Sequence, residues 1–339
     1  GGCKRNKRAV KHFHHLKKII ITLLTIGGLC FFSSNVEAQT QDDGSQLIRT
    51  LKNPAMIPTI AKQEKFRDPN AVKVLTWLYL TQYPDYASFE MLKDFIATTS
   101  NWPQETMLKR RMEEKFPKAS RPYVIKNWFD RHPPVTVTGL QLYIGALEKL
   151  GYDQEAAKNL RQFWYTADIS NKEVKNLAEK YRHIFTQQDH INRANEFIWK
   201  GKTSAAQVLF PYISEGKRSP LNARIKLANQ ENGVDEAIEQ VPQSQRYDPG
   251  LIYERVRWRR RAGLNDGALE LLNDTRVNQS EYPDKWWTER HILLRRAIED
   301  GNYKKALEIV RPHRQNTEFP YTQAESIKGW LTLKNGDAK

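Results

Sequence analysis

A glycine followed five positions later by an alanine recurs as Gly151…Ala156, Gly201…Ala206, Gly263…Ala268 and Gly301…Ala306, and one residue shorter as Gly233…Ala237. Glycine takes the left-handed backbone that ends a helix at little steric cost, and alanine lets the next helix approach its neighbour closely. The recurrence prescribes helix, tight turn, helix, and so points to an all-α chain. Its glycines stand 50, 32, 30 and 38 residues apart, around the period of paired-helix units such as tetratricopeptide repeats. The expected fold is a superhelical array of short antiparallel helix pairs, an α-solenoid in which each pair buries its apolar face against the next. An irregular helical bundle is the alternative that the uneven spacing leaves open.

Apolar spacing agrees with helices block by block. Leu140, Tyr143, Ile144, Leu147 and Leu150 form one stripe closed by Gly151, and Asp153 reads as the cap of a second made of Ala156, Ala157, Leu160, Phe163 and Trp164. Ser170 with Glu173 has the form of a capping box. Ser219-Pro220 and Asp248-Pro249 each set an N-cap residue before a proline at the first helical position. Earlier in the chain Pro84, Pro103, Pro117 and Pro122 separate helices expected at 71–82, 88–98, 104–115 and 122–130. Residues 39–135 are thus the less regular first part of one helical body, and 136–339 its helix-pair repeats.

The first 38 residues read as a leader. Lys4, Arg5, Lys7, Arg8, Lys11, Lys17 and Lys18 precede a mostly apolar run from Ile19 to Phe32, then Val36-Glu37-Ala38 with small residues at the positions a signal peptidase reads. The run is short for a bilayer-spanning helix, which needs about 20 apolar residues. Cleavage between Ala38 and Gln39 is expected, with an uncleaved membrane anchor as the competing reading; after cleavage no stable span is expected. Because the chain opens Gly-Gly rather than Met, its true start is expected to lie upstream. Both cysteines, Cys3 and Cys30, would leave with the leader, which excludes disulfides, Cys-ligated metals and thiol nucleophiles from the mature protein. Removing seven basic residues and one acidic one leaves 47 Lys+Arg against 38 Asp+Glu, so the net charge of +15 falls to +9. For an exported chain the polyanions on offer are the cell wall and anionic lipid surfaces rather than nucleic acid.

Chemical motifs are absent. His132, His183, His190, His291 and His313 never pair at the three- or four-residue spacing that would set two ligands on one helical turn, so no metal is expected. There is no Gly-x-Ser-x-Gly elbow, phosphate-binding loop or dinucleotide fingerprint, and no cofactor is implied. Pairs such as Glu113-Glu114 and Glu299-Asp300 read as solvated, and no carboxylate stands in an evidently apolar cleft of the kind that raises a glycosidase acid. Two concentrations remain. Arg255, Arg257, Arg259, Arg260 and Arg261 surround Trp258, and Trp286-Trp287 precede Arg290. Arginine beside aromatic rings suits carbohydrate or carboxylate recognition; packing between helices is the competing role and carries more weight. Arg255, Trp258, Arg259, Trp286, Trp287 and Arg290 are the candidate glycan-contacting residues. Arg–Glu pairs between adjacent repeats are expected to account for much of the charge.

Several stretches together resemble the N-terminal superhelical domain of bacterial soluble lytic murein transglycosylases. They are Trp102–Leu108, Phe129–Thr136, Arg161–Trp164 with Ala167-Asp168, Asp189-His190 with Arg193 and Trp199, Asp248–Arg260, Trp286–Arg290 and Ala324–Trp330, in order along nearly the whole mature chain. The resemblance implies a periplasmic protein whose helices bend into a U or ring, acting on peptidoglycan glycan strands. The family's enzymes cleave those strands through a single catalytic Glu. That Glu belongs to a module after the superhelix, marked by Gly-Leu-Met-Gln and Ala-Tyr-Asn segments that this sequence lacks. Glu325-Ser326 copies the catalytic pair superficially but falls within the superhelix motif, so no catalytic residue is assigned. The expected function is a scaffold that guides wall strands, with a catalytic transglycosylase module or other cell-wall proteins as partners and no cleavage of its own. The rival is a periplasmic repeat adaptor that binds protein partners.

Overall fold

In a computed structural model the described residues are Met56, Ile57, Thr59 and 68–336. The leader, both cysteines and the Ala38–Gln39 junction lie outside them. Sixteen α-helices and two short 3-10 turns run through residues 69–334, with no strand among the described residues. The chain divides into two compact units, residues 1–116 and 117–339.

The first unit contains α1 (Pro69–Gln82), α2 (Phe89–Thr98) and α3 (Glu105–Glu114), close to the bounds expected from the prolines. Asp68 accepts the amide of Asn70 ahead of Pro69, and Ser88 accepts that of Met91. Leu75, Leu78, Leu92, Phe95, Leu108 and Met112 fill its core. Arg111 donates to the carbonyl of Leu80 at 2.6 Å, closing the end of α1 with a side chain from α3. Glu113 departs from the solvated reading. The inward face of α3 is broad enough to take it in beside Met112, leaving it 1% exposed, while Glu114 faces out.

The second unit runs α4 (Pro122–Phe129), α5 (Val137–Lys149), α6 (Asp153–Thr166), α7 (Asn171–Lys180), α8 (Gln187–Trp199), α9 (Thr203–Gln207), α10 (Glu215–Asn229), α11 (Val234–Glu239), α12 (Pro249–Arg261), α13 (Asn265–Asn273), α14 (Pro283–Glu299), α15 (Tyr303–Val310) and α16 (Glu318–Lys334). Gly151, Gly201, Gly233, Gly263 and Gly301 all have φ between 70° and 79°, the conformation the recurrence demanded. At four of the turns the next residue donates back five positions, as Tyr152 to Leu147, Lys202 to Phe197, Leu264 to Arg259 and Asn302 to Ala297. These are Schellman closures, and they satisfy carbonyls that the helix end would otherwise orphan. Ala156, Ala206, Ala237, Ala268 and Ala306 are all buried. Each turn thus joins a packed pair: α5 with α6, α8 with α9, α10 with α11, α12 with α13 and α14 with α15. The first helices also meet one another, α8 against α10, α10 against α12 and α12 against α14. The 50-residue interval between Gly151 and Gly201 is long because α7 is inserted within it.

Local signals succeed and fail for physical reasons. Ser170 with Glu173 forms the full capping box, and Asp248 accepts the amide of Leu251 ahead of Pro249. Asp153 is not a cap: Tyr152 holds that position, and Asp153 is the first helical residue, where its charge still favours the positive helix end. Leu150 follows the end of α5 and is exposed. Pro220 does not open a helix but lies inside α10, which starts five residues earlier at Glu215. Proline leaves the carbonyl four residues back without its donor; here that carbonyl, of Gly216, accepts the Ser219 hydroxyl at 3.4 Å.

Buried arginines tie the unit together at helix ends. Arg193 donates to the carbonyls of Tyr165, at 3.0 Å, and Ala167, closing the end of α6 from α8. Arg290 donates to Leu272 on α13 and Ile309 on α15. Arg314, which is exposed, likewise reaches the carbonyls of Asn273 and Asp274. A guanidinium suits the negative end of a helix dipole and offers several donors to its free carbonyls. Arg–Glu ties between neighbouring pairs also occur, as Arg260 with Glu289. These arginines are thus spent on helix ends as well as on carboxylates.

Candidate functional site

The six residues singled out for glycan contact separate into three environments. Trp286 and Arg290, both 1% exposed, are core. Trp286 meets Tyr253 edge-on at 5.3 Å, and its indole N–H donates to the carbonyl of Glu281. Neither offers a surface to a ligand, so packing is their role in this structure. Trp258 is partly buried against Ala223, Leu227 and Leu251. Arg255 and Arg259 sit half-buried one turn apart on α12.

Trp287 belongs to the same core cluster as Trp286 and is 5% exposed, but its remaining surface borders a groove. It forms one wall of an open groove of about 620 Å³ between α14 and the start of α16, within the usual range of ligand sites of about 300–1,000 Å³. Trp287, His291 and Arg295 follow at four-residue intervals along α14, which puts them on one face. Across the groove stand Phe319, 73% exposed, and Gln323 of α16. The Trp287 indole N–H donates to Gln323 Oε1 at 2.7 Å, so the groove floor is held from both helices. His291 lies 5.4 Å from the Trp287 ring; burial and then the charge of Arg295 hold its pKa below the ordinary 6.5, favouring a neutral imidazole at neutral pH. Arg295 pairs with Glu299 at 3.3 Å but stays largely exposed. The groove combines the exposed ring of Phe319 with amide, hydroxyl and guanidinium groups. That mixture can stack on a flat apolar face while hydrogen-bonding its edges. Sequence reading found Trp287 but missed Phe319, whose neighbourhood with Trp287 exists only in the folded pair.

Acid–base chemistry has little support among the described residues. The carboxyl raised by burial there is Glu254, 1% exposed, with both oxygens held by Arg257. A general acid must reach its substrate, and this one is enclosed. Glu325 is pushed the opposite way: hydrogen bonds from Lys328 and then His313 hold its carboxyl below the usual range. His313 accepts the Gln315 amide at Nδ1, which leaves Nε2 as the donor to Glu325 at 2.8 Å. No group of three His, Cys, Asp or Glu gathers as a metal site would need, and no helix is long and apolar enough to cross a membrane, both among the described residues.

Comparison with protein-family models, curated proteins and solved structures gave no match for this chain.

Proposed function

We propose that the protein is an exported, superhelical helix-pair scaffold that binds peptidoglycan glycan strands in the periplasm, as the superhelical part of a lytic transglycosylase system would, and guides rather than cuts them. The groove of Trp287, Phe319 and Arg295 is the observation that carries this reading. Sugar rings present an apolar face to stack on aromatic groups and a hydroxylated edge for side chains such as Gln323 and Thr288. Contact of first helix with first helix from α8 to α14 supports the repeat array, and the leader-like sequence read at residues 1–38 supports export. The test is sedimentation with purified sacculi at low salt. Wild-type protein should pellet, and the double variant Phe319→Ser, Arg295→Gln should pellet several-fold less with an unchanged melting temperature, since both side chains are exposed. Absence of pelleting by the wild type, or equal pelleting of the variant, overturns strand binding; release of anhydro-muropeptides overturns the non-cleaving role.

A second reading, a periplasmic adaptor for proteins, is favoured by one observation. Phe319, Trp330 and Leu333 are exposed on one side of α16 at spacings that share a helical face. Loss of protein capture, with sacculus binding intact, in a Trp330→Ser, Leu333→Ser variant would mark that face as the working surface.

A further inference from the structure

Of the five arginines on α12, four are spent. Arg257 holds Glu254, Arg259 donates to the carbonyl of Gly267 at 2.8 Å, Arg260 holds Glu289, and Arg261 donates to Ala228 at 3.3 Å. Arg255 is half-buried and, among the described residues, makes no hydrogen bond or ion pair. Its guanidinium is therefore left to solvent and open to the oxygens of a ligand. Its surroundings are cationic: burial first, then Arg259, with Arg246 also contributing, depress its pKa, and the carboxylate near it is Glu270. Glu270 is 80% exposed and stands 3.8 Å from Arg259 rather than engaging Arg255.

We propose that Arg246, Arg255 and Arg259 form a binding site for a phosphate group. Arg255 and Arg259 point the same way from successive turns of α12. Arg246, near enough for its charge to act on Arg255, comes from the segment before that helix, with Nε and Nη2 tethered to the carbonyls of Val241 and Glu239. Arg259 is tethered at Nη1 to Gly267, where the missing side chain lets it lie close: a Cβ there would meet that nitrogen at 3.2 Å. Arg246 Nη1 and Arg259 Nε and Nη2 have no such tie, so two fixed forks and one unpaired one retain donors. Three cations against one exposed carboxylate leave an excess of about two charges, which a phosphate dianion cancels and a single carboxylate does not. The same chemistry is offered by free phosphate esters and by anionic phospholipid headgroups. This site is separate from the groove at Trp287, and its fate does not depend on glycan binding.

Thermal unfolding with inorganic phosphate, against chloride at matched ionic strength, tests it. At 10 mM phosphate, with a dissociation constant on the order of 1 mM, the wild type should melt about 2 °C higher. Arg255→Gln should lose that rise, and Arg246→Gln, at an exposed position, should reduce it. Arg276→Gln, which removes a guanidinium already bound to Asp274, should keep it. No rise in the wild type, or an equal rise in Arg255→Gln and Arg246→Gln, overturns the site. Flotation with phosphatidylglycerol vesicles then separates the sources: binding lost in Arg255→Gln assigns the headgroup, whereas a phosphate-dependent melting shift without vesicle binding assigns the free ester.

Discussion

Arg290 donates to the carbonyl oxygen of Ile309 at 2.8 Å across the interior of a helix pair. Its other donors meet Leu272 and Asn273, so one guanidinium closes the ends of two helices at once. Burial lowers its pKa to about 10, still high enough to stay charged at neutral pH. Arg290→Ala strands those acceptors and opens a cavity, and should cost about 3–5 kcal/mol. Arg290→Lys should recover only part, because an ammonium lacks the planar fork. Denaturant midpoints measure both; a loss below 1 kcal/mol in the alanine variant would mean that water replaces the arginine there.

Glycine substitutions separate backbone conformation from space. A Cβ at Gly301 or at Gly145 would meet nothing within 4 Å, yet Gly301 has φ +70° and Gly145 lies inside α5. Gly301→Ala should therefore destabilise by about 1 kcal/mol through conformation alone. Gly145→Ala should stabilise by about 0.5–1 kcal/mol through helix propensity. Equal signs for the two in thermal melts would contradict the turn geometry.

Gly250 is constrained by space. A Cβ there would collide with the guanidinium of Arg224, a 1% exposed side chain that donates to Asn195 and lies 5.3 Å from the Trp199 ring. Gly250→Ala should cost about 1–3 kcal/mol by overpacking. In combination with Arg224→Met the two losses should sum to more than the double variant's, since the offending group has gone. Strict additivity in a double-mutant cycle would show that the glycine matters for another reason.

Acid should weaken the fold in two stages. His190 is enclosed by Trp164, Phe185 and Tyr212, and burial keeps its pKa below the ordinary 6.5 although Asp189 pulls the other way. The unfolded chain then binds that proton more readily, so stability is full above pH 6.5 and falls as pH drops below it. At Asp189 burial raises the carboxyl, but hydrogen bonds from Tyr165, Thr186 and Arg161 outweigh it and hold the pKa under 3.8. Its contribution is present above pH 3.8 and is lost as pH falls through the folded value. His190→Phe, ring for ring, should shrink the first stage, with His291 supplying the remainder, and Asp189→Asn the second. Unfolding free energies from pH 8 to 2 read both stages; an unchanged upper stage in His190→Phe would place that proton elsewhere.

Turns and caps were legible because their chemistry is local. A left-handed glycine, a Ser170–Glu173 box and an Asp248 cap before proline act within a few residues, and each holds in the fold. Ser219-Pro220 misled because its cost is absorbed out of pattern, by a hydroxyl serving the carbonyl that proline abandons. The arginine run on α12 was visible as a run, but only tertiary contacts decide that Arg260 is consumed by Glu289 while Arg255 is left over. Trp286 and Trp287 differ by one position, about 100° of helix; both enter the core, and the second also borders a groove. Its far wall, Phe319, comes from a helix beyond the next turn.

The glycine turns also bear on time. Each joins two helices adjacent along the chain, as α14 and α15 are within Pro283–Val310, so closing a pair costs little loop entropy. Short-range closures of this kind favour rapid folding. The closure within a pair needs no residues from further along the chain, whereas its apolar face is covered only when the neighbouring pair docks, so folding advances pair upon pair.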